Sequence, residues 1–73
     1  MNTRATVLGS PLTEKELKCV EWLAEGKTIA EISIILGAKR NTVMKRIEAA
    51  KAHADVSKDT ALVARAIRQG WIQ

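Results

Sequence analysis

Apolar side chains recur at intervals of three and four residues along most of this 73-residue chain, which is the spacing of one face of an α-helix. Glycine, proline and short polar clusters divide the pattern into four stretches. We therefore predict four helices, over about 13–25, 28–36, 39 or 40–54, and 59–69. No stretch of the sequence alternates apolar and polar residues as a half-buried strand does, so the predicted fold class is all-α, a four-helix bundle.

The first predicted helix has a start signal and a stop signal in the sequence. Thr13 precedes Glu16 by three residues, the spacing of a capping box in which each side chain accepts a hydrogen bond from the other residue's backbone N–H. Gly26 follows the last apolar position and is suited to end the helix. The residues expected to be buried on this helix are Leu17, Cys19, Val20, Leu23 and Ala24. The fourth helix is expected to begin with Asp59 or Ser57 as its cap.

The second and third predicted helices are separated only by a tight turn at Gly37 and Ala38. Glycine suits a sharp bend between helices because it has no Cβ to obstruct the bend. Each helix has one apolar face, formed by Ile29, Ile32 and Leu36 in the second and by Val43, Ile47 and Ala50 in the third. The combination predicts a helix-turn-helix within the bundle.

Positive charge is concentrated on the third predicted helix. Five basic residues and one acidic residue lie between positions 39 and 51, so this stretch carries an excess equal to the whole chain's net charge of +4. A concentrated basic surface favours an anionic partner. On a helix-turn-helix it is typical of a protein that places one helix in the major groove of double-stranded DNA.

The side of the third helix opposite its apolar face predicts the base contacts. At about 100° per residue this side carries Asn41, Lys45 and Glu48, with Met44 beside them. Lysine can donate to guanine, asparagine can pair with adenine, glutamate can accept from the amino group of cytosine, and methionine can touch the thymine methyl group. Two alternatives remain open: Met44 is a packing residue, and Glu48 forms an ion pair with Lys45 or Lys51.

Polar and basic residues at the start and along the edges of the same helix predict phosphate contacts, together with the backbone amides of its first turn. These residues are Lys39, Arg40, Thr42, Arg46 and Lys51. Solvated surface charge is the alternative for the cations, and helix capping is a further role for Thr42.

The sequence also indicates what the chain does not do. Cys19 is the only cysteine, so no internal disulfide is possible and a buried structural thiol is expected. We find no paired nucleophile and base, no phosphate loop and no spaced metal ligands, so no enzyme activity, cofactor or metal site is expected, and His53 is expected to be a packing or surface residue. No apolar run reaches the roughly 18–20 residues of a membrane span and no signal-peptide core is present, so we expect a cytoplasmic protein with no membrane contact.

Together these features resemble the helix-turn-helix DNA-binding domain of the LuxR/GerE family. The matching segments are Leu12-Thr13-x-x-Glu16, Ala24-x-Gly26-Lys27-Thr28, Glu31-Ile32, Leu36-Gly37, Thr42-Val43, Val56 and Ala66-Ile67-Arg68-x-Gly70-Trp71-Ile72. We therefore expect a flexible N-terminal arm at 1–10 and one LuxR-type domain at 11–73. The resemblance is closest to the quorum-sensing branch, in which this domain follows one that binds acyl-homoserine lactones.

The resemblance implies a sequence-specific, DNA-binding transcriptional regulator. By position it places Met44, Lys45 and Glu48 at the bases, and adds Thr28 to the phosphate contacts. It also implies dimerisation through the fourth helix, here through Val63, Ala64 and Ile67. The expected partners are double-stranded DNA and a second copy, or a related regulator in a heterodimer, with no small-molecule ligand in this domain.

Two other functions remain open. The chain could be an interaction module that pairs through the fourth helix with a full-length regulator and inhibits it without reading DNA. Met44, where family members often carry a basic or amide residue, and the acidic Glu48 favour this alternative. A module that contacts RNA polymerase, similar to the promoter-binding region of sigma factors, is the third hypothesis, and the ending Gly70-Trp71-Ile72 argues against it.

Overall fold

The computed structural model describes residues 9–73, so most of the predicted arm at 1–10 lies outside the described residues. Four helices follow one another: α1 (Glu14–Ala24), α2 (Ile29–Leu36), α3 (Arg40–His53) and α4 (Asp59–Arg68). From residue 9 onwards the chain contains no strand. The prediction of an all-α, four-helix fold that contains a helix-turn-helix is therefore confirmed.

Capping boxes close the N-termini of α1 and α2. Thr13 Oγ1 accepts from the Glu16 N–H at 3.2 Å, and Glu16 Oε1 accepts from the Thr13 N–H at 3.0 Å, as the spacing predicts. Thr28 and Glu31 form the same arrangement at α2, with distances of 3.1 and 2.8 Å. In α1 and α2 the N–H of the N-cap threonine thus has a carboxylate acceptor, and the N–H of the third helical residue has a hydroxyl acceptor.

The predicted cap of α4 is wrong. Lys58 occupies the N-cap position and makes no side-chain cap hydrogen bond, while Asp59 is already the first helical residue. The Asp59 carboxylate instead binds Lys51 Nζ on α3, with Oδ1 at 3.0 Å. The Asp59 side chain, which the local sequence assigns to the cap of α4, therefore forms an ion pair with α3 instead.

The turn between α2 and α3 depends on Gly37. Its φ of 64° and ψ of 35° lie in the left-handed region, which costs glycine little because it has no Cβ. The N–H groups of Gly37 and Ala38 donate to the carbonyls of Ile34 and Ser33, at 3.3 and 3.0 Å. These bonds satisfy carbonyls at the end of α2 and let α3 begin within three residues.

One hydrophobic core joins the four helices, and α3 contacts each of the other three. Its buried members are Leu12, Leu17, Cys19, Val20, Ile32, Val43, Ile47, Ala50, Ala54, Leu62, Ala66, Trp71 and Ile72. Val56, in the loop before α4, is half-buried against this core. The prediction that Ala24 is buried is wrong: it is exposed at the end of α1, beside grooves that open to solvent. Leu23, also predicted to be buried, is half-buried.

The C-terminal residues fold back onto the bundle. Gly70 adopts a φ of 75° after α4, and the N–H of Trp71 donates to the carbonyl of Ala66 at 2.8 Å. Trp71 and Ile72 are buried, and both line a groove with Trp22 of α1. The C-terminal ending of the chain therefore packs against α1.

Replacing Ile47 by alanine tests the buried side of α3. Ile47 is only 2% exposed, so we expect Ile47→Ala to lower the free energy of unfolding by about 2–5 kcal/mol through lost burial and a cavity. Ile34 of α2 is 80% exposed, and Ile34→Ala, the same chemical change, should stay within about 0.5 kcal/mol of the parent. Urea denaturation gives the free energy of unfolding of both variants. Equal effects would show that the two isoleucines are not on the faces described.

The capping box of α2 predicts a pH dependence. Hydrogen bonds from the backbone and then the side chain of Thr28 lower the pKa of Glu31 below its ordinary value of 4.5, because they favour the ionised carboxylate. A lowered folded-state pKa stabilises the fold above the unfolded-state pKa, and this stabilisation is lost as the pH falls through the folded-state pKa. The parent should therefore be more stable than Glu31→Gln at pH 7, and the difference should shrink below about pH 4.5. A gap in the free energy of unfolding that stays constant from pH 7 to pH 3 would contradict this prediction.

Candidate nucleic-acid interface

The outer face of α3 carries all four predicted base-contact residues. Asn41, Met44, Lys45 and Glu48 are exposed and lie at the spacing of one helical face. On the opposite side Val43, Ile47 and Ala50 are at most 2% exposed. Met44 is 49% exposed and borders a crevice with Ile29 and Ile47, so part of its side chain is available to a ligand. Burial of one side thus holds a mixed polar face outward.

The N-terminus of α3 differs from the N-termini of α1 and α2. Its N-cap, Lys39, makes no side-chain cap hydrogen bond, and its first turn contains no acidic residue. Lys39 and Arg40 are exposed there and Thr42 is half-buried. The first-turn amides and the positive end of the helix dipole therefore have no carboxylate from the helix itself, which is the arrangement that accommodates an anion.

Arg46 lies against the bundle instead of projecting freely from it. It is half-buried, and its guanidinium lies near the thiol of Cys19 on α1, which is fully buried. Burial raises the pKa of Cys19, while the nearby Arg46 guanidinium acts in the opposite direction. The expectation of a buried structural thiol is confirmed, and the packing of Arg46 beside it is a contact that the sequence did not indicate.

Lys51 is held by two carboxylates. Its Nζ lies 2.7 Å from Glu48 Oε2 and 3.0 Å from Asp59 Oδ1, and its side chain is only 14% exposed. Hydrogen bonds to Glu48 and Asp59, in that order, raise the pKa of Lys51. The alternative that Glu48 pairs with Lys51 is therefore confirmed, whereas the link to α4 through Asp59 was not foreseen.

Thr28, before α2, and His53, at the end of α3, both have hydrogen-bond partners within the protein. The Thr28 hydroxyl is the N-cap acceptor of α2, opposite the Glu31 carboxylate. His53 Nδ1 lies 2.9 Å from Glu16 Oε1. This contact joins the end of α3 to the first turn of α1, where Glu16 is buried. Among residues 9–73 no group of three or more His, Cys, Asp or Glu side chains is arranged to hold a metal ion.

The outer side of α4 is partly apolar. Ile67 is 53% exposed, and Val63 and Ala64 are half-buried. All three line a groove between α1 and α4, together with Leu23 and Ala24. Ile67 does not belong to the core, because Leu62 and Ala66 occupy the inward side of α4. Within the described part of the chain, no helix is long and apolar enough to span a bilayer.

Comparison with known proteins adds to these observations. The family described as bacterial regulatory proteins, luxR family, matches residues 10–66. The chain is 40% identical over 68 residues to the HTH-type quorum sensing-dependent transcriptional regulator VjbR of Brucella ovis and of Brucella abortus, which covers 93% of this chain and 26% of the relative. It is 39% identical over 62 residues to the HTH-type quorum sensing-dependent transcriptional regulator RpaR of Rhodopseudomonas palustris, which covers 85% of this chain and 26% of that relative.

The chain spans about a quarter of the length of the curated relatives it matches. No solved structure is a significant match to it. The family match nevertheless includes all of α1, α2 and α3 and most of α4, and therefore the whole helix-turn-helix. This chain belongs to the luxR family of bacterial regulatory proteins.

Proposed function

We propose that this chain is the DNA-binding part of a transcriptional regulator of the quorum-sensing type, with α3 in the major groove and two copies paired through α4. The observation that carries the proposal is the exposed face of α3, which is kept outward by the burial of Val43, Ile47 and Ala50. Membership of the luxR family and the similarity to quorum sensing-dependent transcriptional regulators support the same proposal.

The outer face of α3 has the chemistry that reads base edges. Lys45 supplies a cation for guanine, Asn41 an amide for adenine, and Met44 an apolar surface for a thymine methyl group. Glu48 supplies a carboxylate oxygen for the amino group of cytosine. The small Ala49 and Ala52 next to this face allow the helix to approach the floor of the groove closely.

Phosphate binding is proposed mainly at the start of α3. Lys39, Arg40 and Thr42 flank a first turn that has no acid and no side-chain cap, so a phosphate there meets amides, two cations and a hydroxyl. Thr28 and Lys51 already have partners within the protein, and Arg46 is half-buried near Cys19, so we place all three at most at the edge of the DNA footprint.

A symmetric dimer gives the proposal its geometry on DNA. Ile67, Val63 and Ala64 form the proposed contact, because an apolar surface on α4 can pack against the same surface of a second copy. Two α3 helices related by this axis would enter successive major grooves about 34 Å apart on a pseudo-palindromic site.

Pairing with a related full-length regulator is the second candidate function, and the same exposed Ile67 favours it. In that case the chain binds another regulator through α4 and inhibits it without reading DNA. Tight pairing with a regulator, together with no binding to random or genomic DNA, would favour this candidate over the first.

Alanine substitutions on α3 separate base contacts from phosphate contacts. Lys45→Ala should reduce discrimination at one base pair by about 1–3 kcal/mol, because it removes a donor to a base edge. Lys18→Ala on α1 removes the same charge from an exposed helix outside the footprint and is the matched control. The discrimination of both variants is measured by competition binding with single-base variants of a DNA site that the parent protein selects. A uniform loss across all sequences would make Lys45 a phosphate contact instead.

The salt dependence of binding tests the phosphate contacts. With about five contacts per dimer, log K should fall with log salt with a slope of about −4 to −5. Arg40→Ala should weaken binding to any duplex and reduce this slope by about 1 for each protomer bound. Electrophoretic titration at several salt concentrations gives the slope. An unchanged slope in Arg40→Ala would remove this residue from the footprint.

Charge introduced on α4 tests the dimer. Ile67→Asp should shift the protein towards monomer in sedimentation experiments and weaken binding to a site with two half-sites, because an apolar contact would acquire two buried charges. Ile34→Asp makes the same change at a more exposed isoleucine of α2. This control variant should sediment with the same mass as the parent protein. Identical sedimentation of the parent and of Ile67→Asp would contradict pairing through this face.

A further inference from the structure

The side chains of Glu48, Lys51 and Asp59 form one connected ion-pair network that joins α3 to the first residue of α4. The two contacts of Lys51 Nζ are short, 2.7 Å to Glu48 and 3.0 Å to Asp59. The three partners differ in exposure. Glu48 exposes 69% of its side chain, Asp59 exposes 50%, and Lys51 exposes only 14%.

Most of the Lys51 side chain is shielded from solvent. It lines a small crevice between α2, α3 and the start of α4 together with Ile29 and Ile47, and only 14% of it is exposed. Two carboxylates bind its ammonium. Because the side chain is covered and the ammonium has two partners, Nζ is better restrained than that of a surface lysine, whose ion pairs are usually weak.

We propose that Lys51 and Asp59 are positioning residues for Glu48, and that through them the sequence preference of α3 depends on the start of α4. This inference rests on the proposed function. Lys51 binds Oε2 of Glu48, so the carboxylate is oriented with Oε1 as the oxygen that accepts from the amino group of cytosine. Asp59 contributes indirectly, because it holds the Lys51 ammonium from the opposite side.

Charge gives a second reason for the pairing of Glu48 with Lys51. A lone carboxylate on the groove face would be repelled by the DNA phosphates. The Lys51 ammonium offsets this charge at a distance of 2.7 Å, so that Glu48 can approach the bases. Asp59 adds a second negative charge, so its contribution is to hold the ammonium in place and not to offset the charge of Glu48.

Selection of bound duplexes from a random-sequence DNA library, followed by competition binding, tests the proposal. The informative variant is Asp59→Asn, which keeps the shape of the residue and removes only its charge. We expect it to reduce the preference for cytosine at the Glu48 position by about threefold to tenfold, which is less than the loss of the whole base contact would cause. Affinity for random duplexes should not fall, because the variant carries one negative charge fewer.

Asp55→Asn is the matched control. Asp55 is an exposed residue of the loop before α4, its φ is 59°, and asparagine tolerates this conformation as well as aspartate does. The charge change is the same as in Asp59→Asn, but the residue is outside the network. The base preferences of Asp55→Asn should equal those of the parent, and circular dichroism shows whether each variant remains helical.

A second pair of variants tests whether Asp59 acts through Glu48. In a Glu48→Ala background, Asp59→Asn should have no further effect on base preference, since the group it positions is gone. Unchanged preference in the single variant would overturn the inference, as would the same change in both backgrounds or a uniform loss at all base pairs. Failure of the parent protein to enrich any sequence would instead overturn the proposed function itself.

Discussion

The burial of one side of α3 is the constraint on which the rest of the structure depends. Val43, Ile47 and Ala50 are packed into a core to which the other three helices also contribute, and this fixes the rotation of α3 about its own axis. A rotation by one residue would turn the helix by about 100° and bring polar side chains into the core, at a cost of several kcal/mol. The contacts that stabilise the bundle therefore also determine which side chains face outward.

The helix N-termini differ in a way that follows from local sequence. Glutamates close the first turns of α1 and α2, so the positive ends of these helix dipoles are already compensated within the protein. The first turn of α3 has neither a side-chain cap nor an acid, and it is flanked by Lys39 and Arg40. The cationic N-terminus of α3 is thus open to an external anion. It lies next to the face of α3 that carries Lys45.

Periodicity and turn residues predict the four helices, the buried side of α3 and the exposure of its opposite side, because these features depend on residues that are close in sequence. The capping box of Thr28 and Glu31 has the same local signal as that of α1, but the resemblance to a family led us to interpret Thr28 as a phosphate contact. The pairing of Lys51 with Asp59 could not be predicted in this way. It depends on the angle and distance between α3 and α4, which tertiary packing decides. Asp59 is the first residue of α4 and not its cap, and its carboxylate pairs with Lys51.

The most direct test of the account is an NMR titration of the isotope-labelled chain with a duplex recovered from random-sequence selection. If α3 lies in the major groove, intermolecular nuclear Overhauser effects should connect the side chains of Asn41 and Lys45 to base protons. The largest amide shifts should then fall between residues 39 and 48. The account would be contradicted if the duplex bound tightly while these contacts were absent and the shifts were centred on the exposed lysines of α1.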